Sequence, residues 1–281
     1  MQVSVMNFKR PALSAMILAF AAVLAAFGTQ AQVPARAVDC GSNSGTSGEV
    51  VRVVDGRSFL LADSREIRLA AIETLLPVPG DEDEARVAAA LAAKAALEAL
   101  VLHREVDLRV LRGSPDRYGR LFAYASIQTP AGETLVQHEL VATGQALVWG
   151  AFLAEPCRAY LRDAERDARR GGLGLWGDPY YIVKRAANPL DILAEQGRFT
   201  LVTGTVTSVR QSSGLSYVNF GRRWHEQFTV TIAKRNEGIF AGAGLTPKAL
   251  AGRNIEVRGW IEERGGPAIE VVRPEQIEIV N

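Results

Sequence analysis

From Arg198 to the C-terminus the chain is written almost wholly in short alternating apolar runs, and this limits its fold more than any other feature. Phe199 to Arg210, Leu215 to Phe220, Gln227 to Ala233, Asn254 to Glu262, Ala268 to Val272 and Gln276 to Val280 alternate or nearly so. That is the period of strands with one buried face. A short helical piece around Pro247 to Leu250 stands between the third and fourth runs. Three strands, a small helix and more strands is the order of a five-stranded OB-type barrel. A generic small β-barrel or sandwich is the alternative.

The first half mixes strands with helices. Glu49 to Val54, Ser58 to Ala62 and Glu66 to Ile72 read as strands, with Asp55-Gly56 as a turn signal. The acidic run Asp81 to Glu84 leads into an Ala-rich helix, Ala85 to Leu102, whose Val87/Leu91/Leu97/Val101 face is interrupted by Lys94 and Glu98. Acidic residues at a helix start suit the macrodipole. Val106 to Leu111 and Leu121 to Ile127 are strands, and Thr134 to Gly144 a short helix. Glu155 to Arg170 is an amphipathic helix with Cys157, Leu161, Ala164 and Ala168 on its apolar face. The expected class is α+β, mainly β. The expected segments are a first domain at 48–177, an ordered connector at 178–197 and a second β domain at 198–281.

Ahead of these, Lys9 and Arg10 precede an apolar run from Ala12 to Phe27, and Thr29-Gln30-Ala31 offers small residues at a cleavage position. Residues 1–31 therefore read as a secretory signal peptide, with an uncleaved anchor as the alternative. The protein is expected to be exported, periplasmic or secreted, with no integral span after signal removal. The chain carries 32 Lys+Arg and 31 Asp+Glu. The signal holds two of the bases and no acid, which leaves the remainder at −1. Nucleic-acid binding would then rest on a local patch rather than a global field. Cys40 and Cys157 are expected to form a disulfide, which such a compartment permits. A merely buried Cys157 thiol is the other reading. His103, His138 and His225 are scattered, without the ligand spacing of a zinc site.

Five pieces, in order, carry a resemblance: Val53-Val54-Asp55-Gly56, Ile67 to Thr74 (Ile-Arg-Leu-Ala-Ala-Ile-Glu-Thr), Asp116-Arg117-Tyr118-Gly119-Arg120, Leu140 to Ala146, and Gly174-Leu175-Trp176. Together they resemble the staphylococcal-nuclease (thermonuclease) family over roughly Gly48 to Trp176. The resemblance implies an OB-type barrel with packed helices, and calcium-assisted hydrolysis of nucleic-acid phosphodiesters. It puts Arg68 and Arg120 at phosphate-binding arginine positions, and Asp55 and Glu73 at carboxylate positions. Thr74 also agrees.

The sequence departs from the pattern where the chemistry would be done. The family's Asp-Gly-Asp-Thr is here Asp55-Gly56-Arg57-Ser58, and its Asp-Thr-Pro-Glu is Glu73-Thr74-Leu75-Leu76. A guanidinium cannot ligate a hard cation, and Leu76 has no proton chemistry. The domain is therefore expected to be a pseudo-enzyme, with calcium a cofactor only if a rearranged nuclease survives. Glu82 or Glu84 could return a carboxylate to such a site. Arg57, Arg68 and Arg120 could instead hold a phosphate, or Arg57 could simply pair with Glu73 on the barrel surface.

In the second domain, Tyr217, Arg222, Arg223 and Trp224 interleave aromatics with bases, as single-strand binders do. Core packing is the plainer reading for at least two of Tyr217, Phe220 and Phe228. Residues 198–281 are at +3, and 48–176 at −3. Three functions follow: a non-catalytic binder of nucleic acid or another phosphate-bearing polyanion, an active exported nuclease, or an envelope scaffold for protein partners that the sequence does not identify.

Overall fold

A computed structural model describes Gln2, Cys40 and residues 45–76, 83–111, 115–150, 155–179, 182–221 and 226–280. The segment read as a signal peptide lies outside these residues apart from Gln2. From Pro34 onward the chain forms one compact unit, mixed α+β and mainly strand.

The first barrel is built from β1 (Gly45–Asp55), β2 (Ser58–Leu61), β3 (Glu66–Leu69), β5 (Glu105–Val110) and β6 (Leu121–Thr129), in the order β3-β2-β1-β5-β6. A parallel β3–β6 pairing closes it. Between β3 and β5 lie β4 (Ile72–Glu73) and α1 (Glu84–Val101). β7 (Gly132–Leu135), α2 (Val136–Ala142), β8 (Leu147–Val148) and α3 (Glu155–Gly171) follow. The side chains of Val53, Phe59, Ile67, Leu69, Leu108 and Ala123 fill the interior, with Leu97 and Val101 of α1 packed into the same core.

The second barrel repeats the first. β10 (Phe199–Thr205) and β11 (Ser208–Ser212) are halves of one strand that changes partners at Val206 and Thr207. The Val206 N–H donates to the Arg253 carbonyl, and the Thr207 N–H to that of Asn219. β14 (Asn254–Trp260) and β15 (Glu262–Glu263) form another broken strand. With β12 (Leu215–Asn219), β13 (Thr229–Ala233) and β16 (Pro267–Val271) they close a barrel. In both barrels the third and fifth strands pair parallel, and all other neighbours antiparallel. In both, the helix sits between the third and fourth strands: α1 in one, α5 (Glu237–Gly242) in the other. This is the OB-type order the alternating runs predicted.

One local reading is corrected. The buried stripe of α1 is Arg86, Ala90, Ala93, Leu97 and Val101, while Leu91 is 60% exposed. Alanines are small enough for a close barrel–helix approach, and a search for large apolar residues passes over them. The connector stretch also contributes structure: β9 (Val183–Arg185) pairs parallel with β10, and α4 (Pro189–Leu193) follows.

The barrels meet along α3. Its Cys157, Leu161, Ala164 and Ala168 face inward, and Cys157 is bonded to Cys40 with Cα atoms 5.0 Å apart. Its arginines reach the second barrel. Arg158 pairs with Glu275 at 3.0 Å and Arg169 with Glu256 at 2.8 Å, and Arg162 Nη2 donates to the Glu275 carbonyl at 2.5 Å. At the centre, fully buried Arg258 of β14 donates to both Glu165 oxygens, at 3.0 and 2.8 Å, to Glu256 at 3.0 Å and to the Val148 carbonyl at 2.8 Å. Burial alone would lower the Arg258 pKa, but the Glu165 and Glu256 carboxylates outweigh it and raise it. A second buried group joins Arg86 of α1 to Glu195 at 3.0 Å, and Glu195 to Lys184 of β9 at 3.0 Å. Beside them Leu75, Leu147, Leu175 and Trp176 pack with Ile182, Phe199 and Leu201 in one apolar cluster.

Removing one partner from a buried ion pair costs about 3–5 kcal/mol, because the other charge stays buried. Arg258→Met should therefore lower the urea-unfolding free energy of the intact protein by about that much; a loss below about 1 kcal/mol would put this pair with ordinary surface bridges. The Cys40–Cys157 bond closes a separation of 117 residues, worth about 4–5 kcal/mol in the chain-entropy model. Intact mass after alkylation should show both thiols protected until reductant is added.

Candidate functional site

The tight turn between β1 and β2 brings the first site residues together. The Arg57 N–H donates to the Asp55 carboxylate at 2.9 Å, so that this carboxylate organises the turn. Gly56 lies against α1, where an added Cβ would stand 2.8 Å from the Ala93 methyl and collide with it. The turn therefore needs glycine, and next to it the Arg57 side chain is 4% exposed.

Glu73 receives it. This residue is on β4, paired in register with Leu147 of β8, and is 1% exposed. One carboxylate oxygen is ion-paired with Arg57 and the other accepts from Arg68 Nη2 at 2.8 Å. A single buried carboxylate thus holds two guanidiniums. Arg68 comes from β3, in register with Phe122 of β6, and its guanidinium lies 5.5 Å from that ring's centroid. Arg57 does pair with Glu73, but the pair is buried rather than on the barrel surface, and Arg68 shares the partner.

Arg120 is held from another side. Asp116 accepts from Arg120 Nε at 2.9 Å, and pairs with its Nη2 at 2.8 Å. The other Asp116 oxygen takes the backbone N–H groups of Tyr118 at 2.8 Å and Arg120 at 3.0 Å. This fixed loop presents Tyr118, 65% exposed, with the Arg117 and Arg120 guanidiniums 4.8 and 5.0 Å from its ring centroid. The sequence reading used Tyr118 only as part of a motif. An aromatic enclosed by two bases was the available signal.

The three arginines feel one another. Burial first, then the charges of Arg68 and Arg120, push the Arg57 guanidinium down to about 9, with Asp55 opposing. Arg68 is lowered by burial and then by Arg120, against Asp55 and Asp116. The crowding is that of a site built around positive charge.

Calcium does not suit this arrangement. The ion takes 6–8 oxygen ligands, yet both Glu73 oxygens face guanidiniums and an Asp55 oxygen takes the Arg57 N–H. The half-buried side chain at Leu76 offers no oxygen. Among the described residues no group of three or more His, Cys, Asp or Glu side chains could hold a metal ion. The acidic run serves the helix instead. Asp83 caps α1, accepting from the Ala85 and Arg86 N–H groups at 3.1 Å, and Glu84 is exposed in the first turn. Glu82 lies outside the described residues.

Tyr217 is in the second barrel, on β12 opposite Thr231. Arg222, Arg223 and Trp224 lie outside the described residues.

Comparison with known proteins meets this geometry from another direction. Residues 66–178 match the family model for the staphylococcal nuclease homologue. Over 137 residues the chain is 32% identical to the micrococcal nuclease of Shigella flexneri, a span covering 47% of this chain and 74% of that protein.

In a site of clustered carboxylates, deleting one relieves repulsion. Here Glu73→Ala strands two guanidiniums and should cost about 3–5 kcal/mol in urea unfolding. Millimolar calcium should leave the melting temperature of the intact protein unchanged, since a ligand stabilises only the fold that binds it.

Proposed function

The chain belongs to the staphylococcal nuclease family, and from that premise we propose that it is an exported member that binds nucleic acid or another phosphate-bearing polyanion without cleaving it. The observation that carries this reading is the buried Arg57–Glu73–Arg68 cluster. Phosphodiester hydrolysis of the family's kind needs a metal against the phosphate, a group to orient water, and cations for the developing charge. Only the cations remain. Arg57 takes the carboxylate a metal would need, and Leu76 stands where water would be oriented.

The binding half of the proposal rests on Tyr118. An exposed ring with arginines on its flanks offers stacking and phosphate contact at one place. Because the exported chain is near neutrality, such a patch would act locally and its affinity would fall with salt. Export is supported by the basic start, apolar run and small-residue exit of residues 1–31, and by a disulfide of the kind oxidising compartments preserve. Among the described residues no helix is long and apolar enough to cross a membrane.

The test uses the intact protein and a labelled single-stranded oligonucleotide, with calcium and then with chelator, at two salt concentrations. The expected result is salt-sensitive binding with the oligonucleotide left whole in both conditions. Tyr118→Ala should weaken binding about tenfold, within the ~1–3 kcal/mol of one lost stack. Chelator-sensitive cleavage that vanishes in Arg68→Ala would establish the active-nuclease reading instead. No binding at low salt would leave the protein-partner role.

A further inference from the structure

We propose that the second barrel binds the phosphate backbone of a single-stranded nucleic acid along β11, on a strip of bases that no carboxylate neutralises. This rests on the polyanion-binding reading above, and it adds to the Tyr118 loop a contact surface on the other barrel.

The charge of this barrel is divided along its sequence. Residues 205–253 hold seven bases and two acids, whereas residues 254–281 hold three bases and six acids. The net +3 of the domain therefore joins a stretch at +5 to one at −3, with Arg198 as the remaining charge. The fold gathers the positive stretch around one strand. β11 lies at the edge of its sheet, paired only with β12, and its Arg210 is exposed. At the start of β11 the Gly252 N–H donates to the Val206 carbonyl and the Val206 N–H to the Arg253 carbonyl, both at 2.9 Å. This ties Arg253 to the strand, and the single helical turn Pro247–Leu250 packs on β11 and β12 and brings in Lys248. At the far end the Lys234 N–H donates to the Gly214 carbonyl at 2.9 Å, which seats Lys234 and Arg235 beside the hairpin tip. All five bases are exposed. From Val206 to Gly214 the strip runs about 25 Å at the ~3.3 Å rise of a strand. Several successive phosphates fit along it.

The lack of partners sets these bases apart. On α3, Arg158 is matched by Glu275, Arg166 by Asp163 and Arg170 by Asp167. In the first barrel Glu73 and Asp116 meet the site arginines. Arg210, Lys234, Arg235, Lys248 and Arg253 form no ion pair among the described residues. Glu237, close to Lys234, is engaged by the hairpin instead. Its Oε1 accepts from Ser216 Oγ at 2.5 Å and from Gln211 Nε2 at 3.1 Å. A surface shaped only for solubility intersperses both signs, as α3 does. A run of one sign concentrates the field, and phosphates laid along it release their counterions. The occupant is a strand of nucleotides rather than a lipid surface, because Arg210 stands directly opposite the half-buried Tyr217. Opposed residues share a face, so a ring and a guanidinium stand together there, the pair single-strand binders use for base and phosphate.

The intact protein is tested by fluorescence anisotropy with a labelled oligothymidylate over a series of salt concentrations. For a single strand, the slope of log affinity against log salt changes by ~0.7 for each phosphate no longer neutralised. Arg210→Gln, Lys234→Gln, Lys248→Gln and Arg253→Gln combined should flatten that slope by about 2 to 3 and weaken binding, with the melting temperature unchanged. Arg210→Gln with Lys248→Gln alone should give half of that flattening. Arg166→Gln with Arg170→Gln removes two exposed charges from α3 and should leave slope and affinity as they were. A slope that survives the four substitutions overturns the strip while leaving the polyanion reading intact. So does an equal effect per charge from the α3 pair, which would make the field diffuse. Tighter binding to phosphatidylglycerol vesicles than to oligothymidylate at the same salt overturns the nucleic-acid assignment. If the unaltered protein binds no oligothymidylate at low salt, both readings fall.

Discussion

A guanidinium taken fully out of water has to be met by carboxylates, and Arg258 is the place where this requirement organises the molecule. It reaches from β14 to Glu165 on α3 and to the Val148 carbonyl on β8. β8 is paired with β4, and the register that sets Ile72 against Val148 also sets Glu73 against Leu147. The residue at the centre of the candidate site therefore sits on a two-stranded sheet held from the second barrel. The seam and the site share one scaffold.

The same electrostatics recurs at Glu73 with different consequences. At the seam one guanidinium is shared among carboxylates; at the site one carboxylate is shared between guanidiniums. A buried cluster with surplus positive charge favours anions and disfavours cations. Under the proposed reading, Arg57 at a position where the family pattern has an aspartate would be more than the loss of one ligand. It reverses the sign of what the turn can hold, and Gly56 against Ala93 fixes that turn in place.

Much of this was legible in the chain because it is local. Alternating runs give strands, Asp55-Gly56 gives a turn, and Cys157, Leu161, Ala164 and Ala168 give the buried face of α3. The arginines and carboxylates of the site could be named from motif order, and so could the possibility that Arg57 meets Glu73. What escaped is set by distance along the chain. Arg258 reads as one more base in an alternating strand, and its partner Glu165 lies 93 residues earlier. Arg86 and Glu195, 109 residues apart, are equally silent. The alanine stripe of α1 escaped for another reason: burial there follows from shape, with little apolar bulk to reveal it.

The shared cluster of Leu75, Leu147, Leu175, Trp176, Ile182, Phe199 and Leu201 has a consequence for descent. Two barrels with one strand order could have drifted apart as independent modules, each tolerating its own changes. Joined through a common interior and paired ions, in this chain they are no longer independent. A substitution on one side of the seam sets the terms for what is permitted on the other.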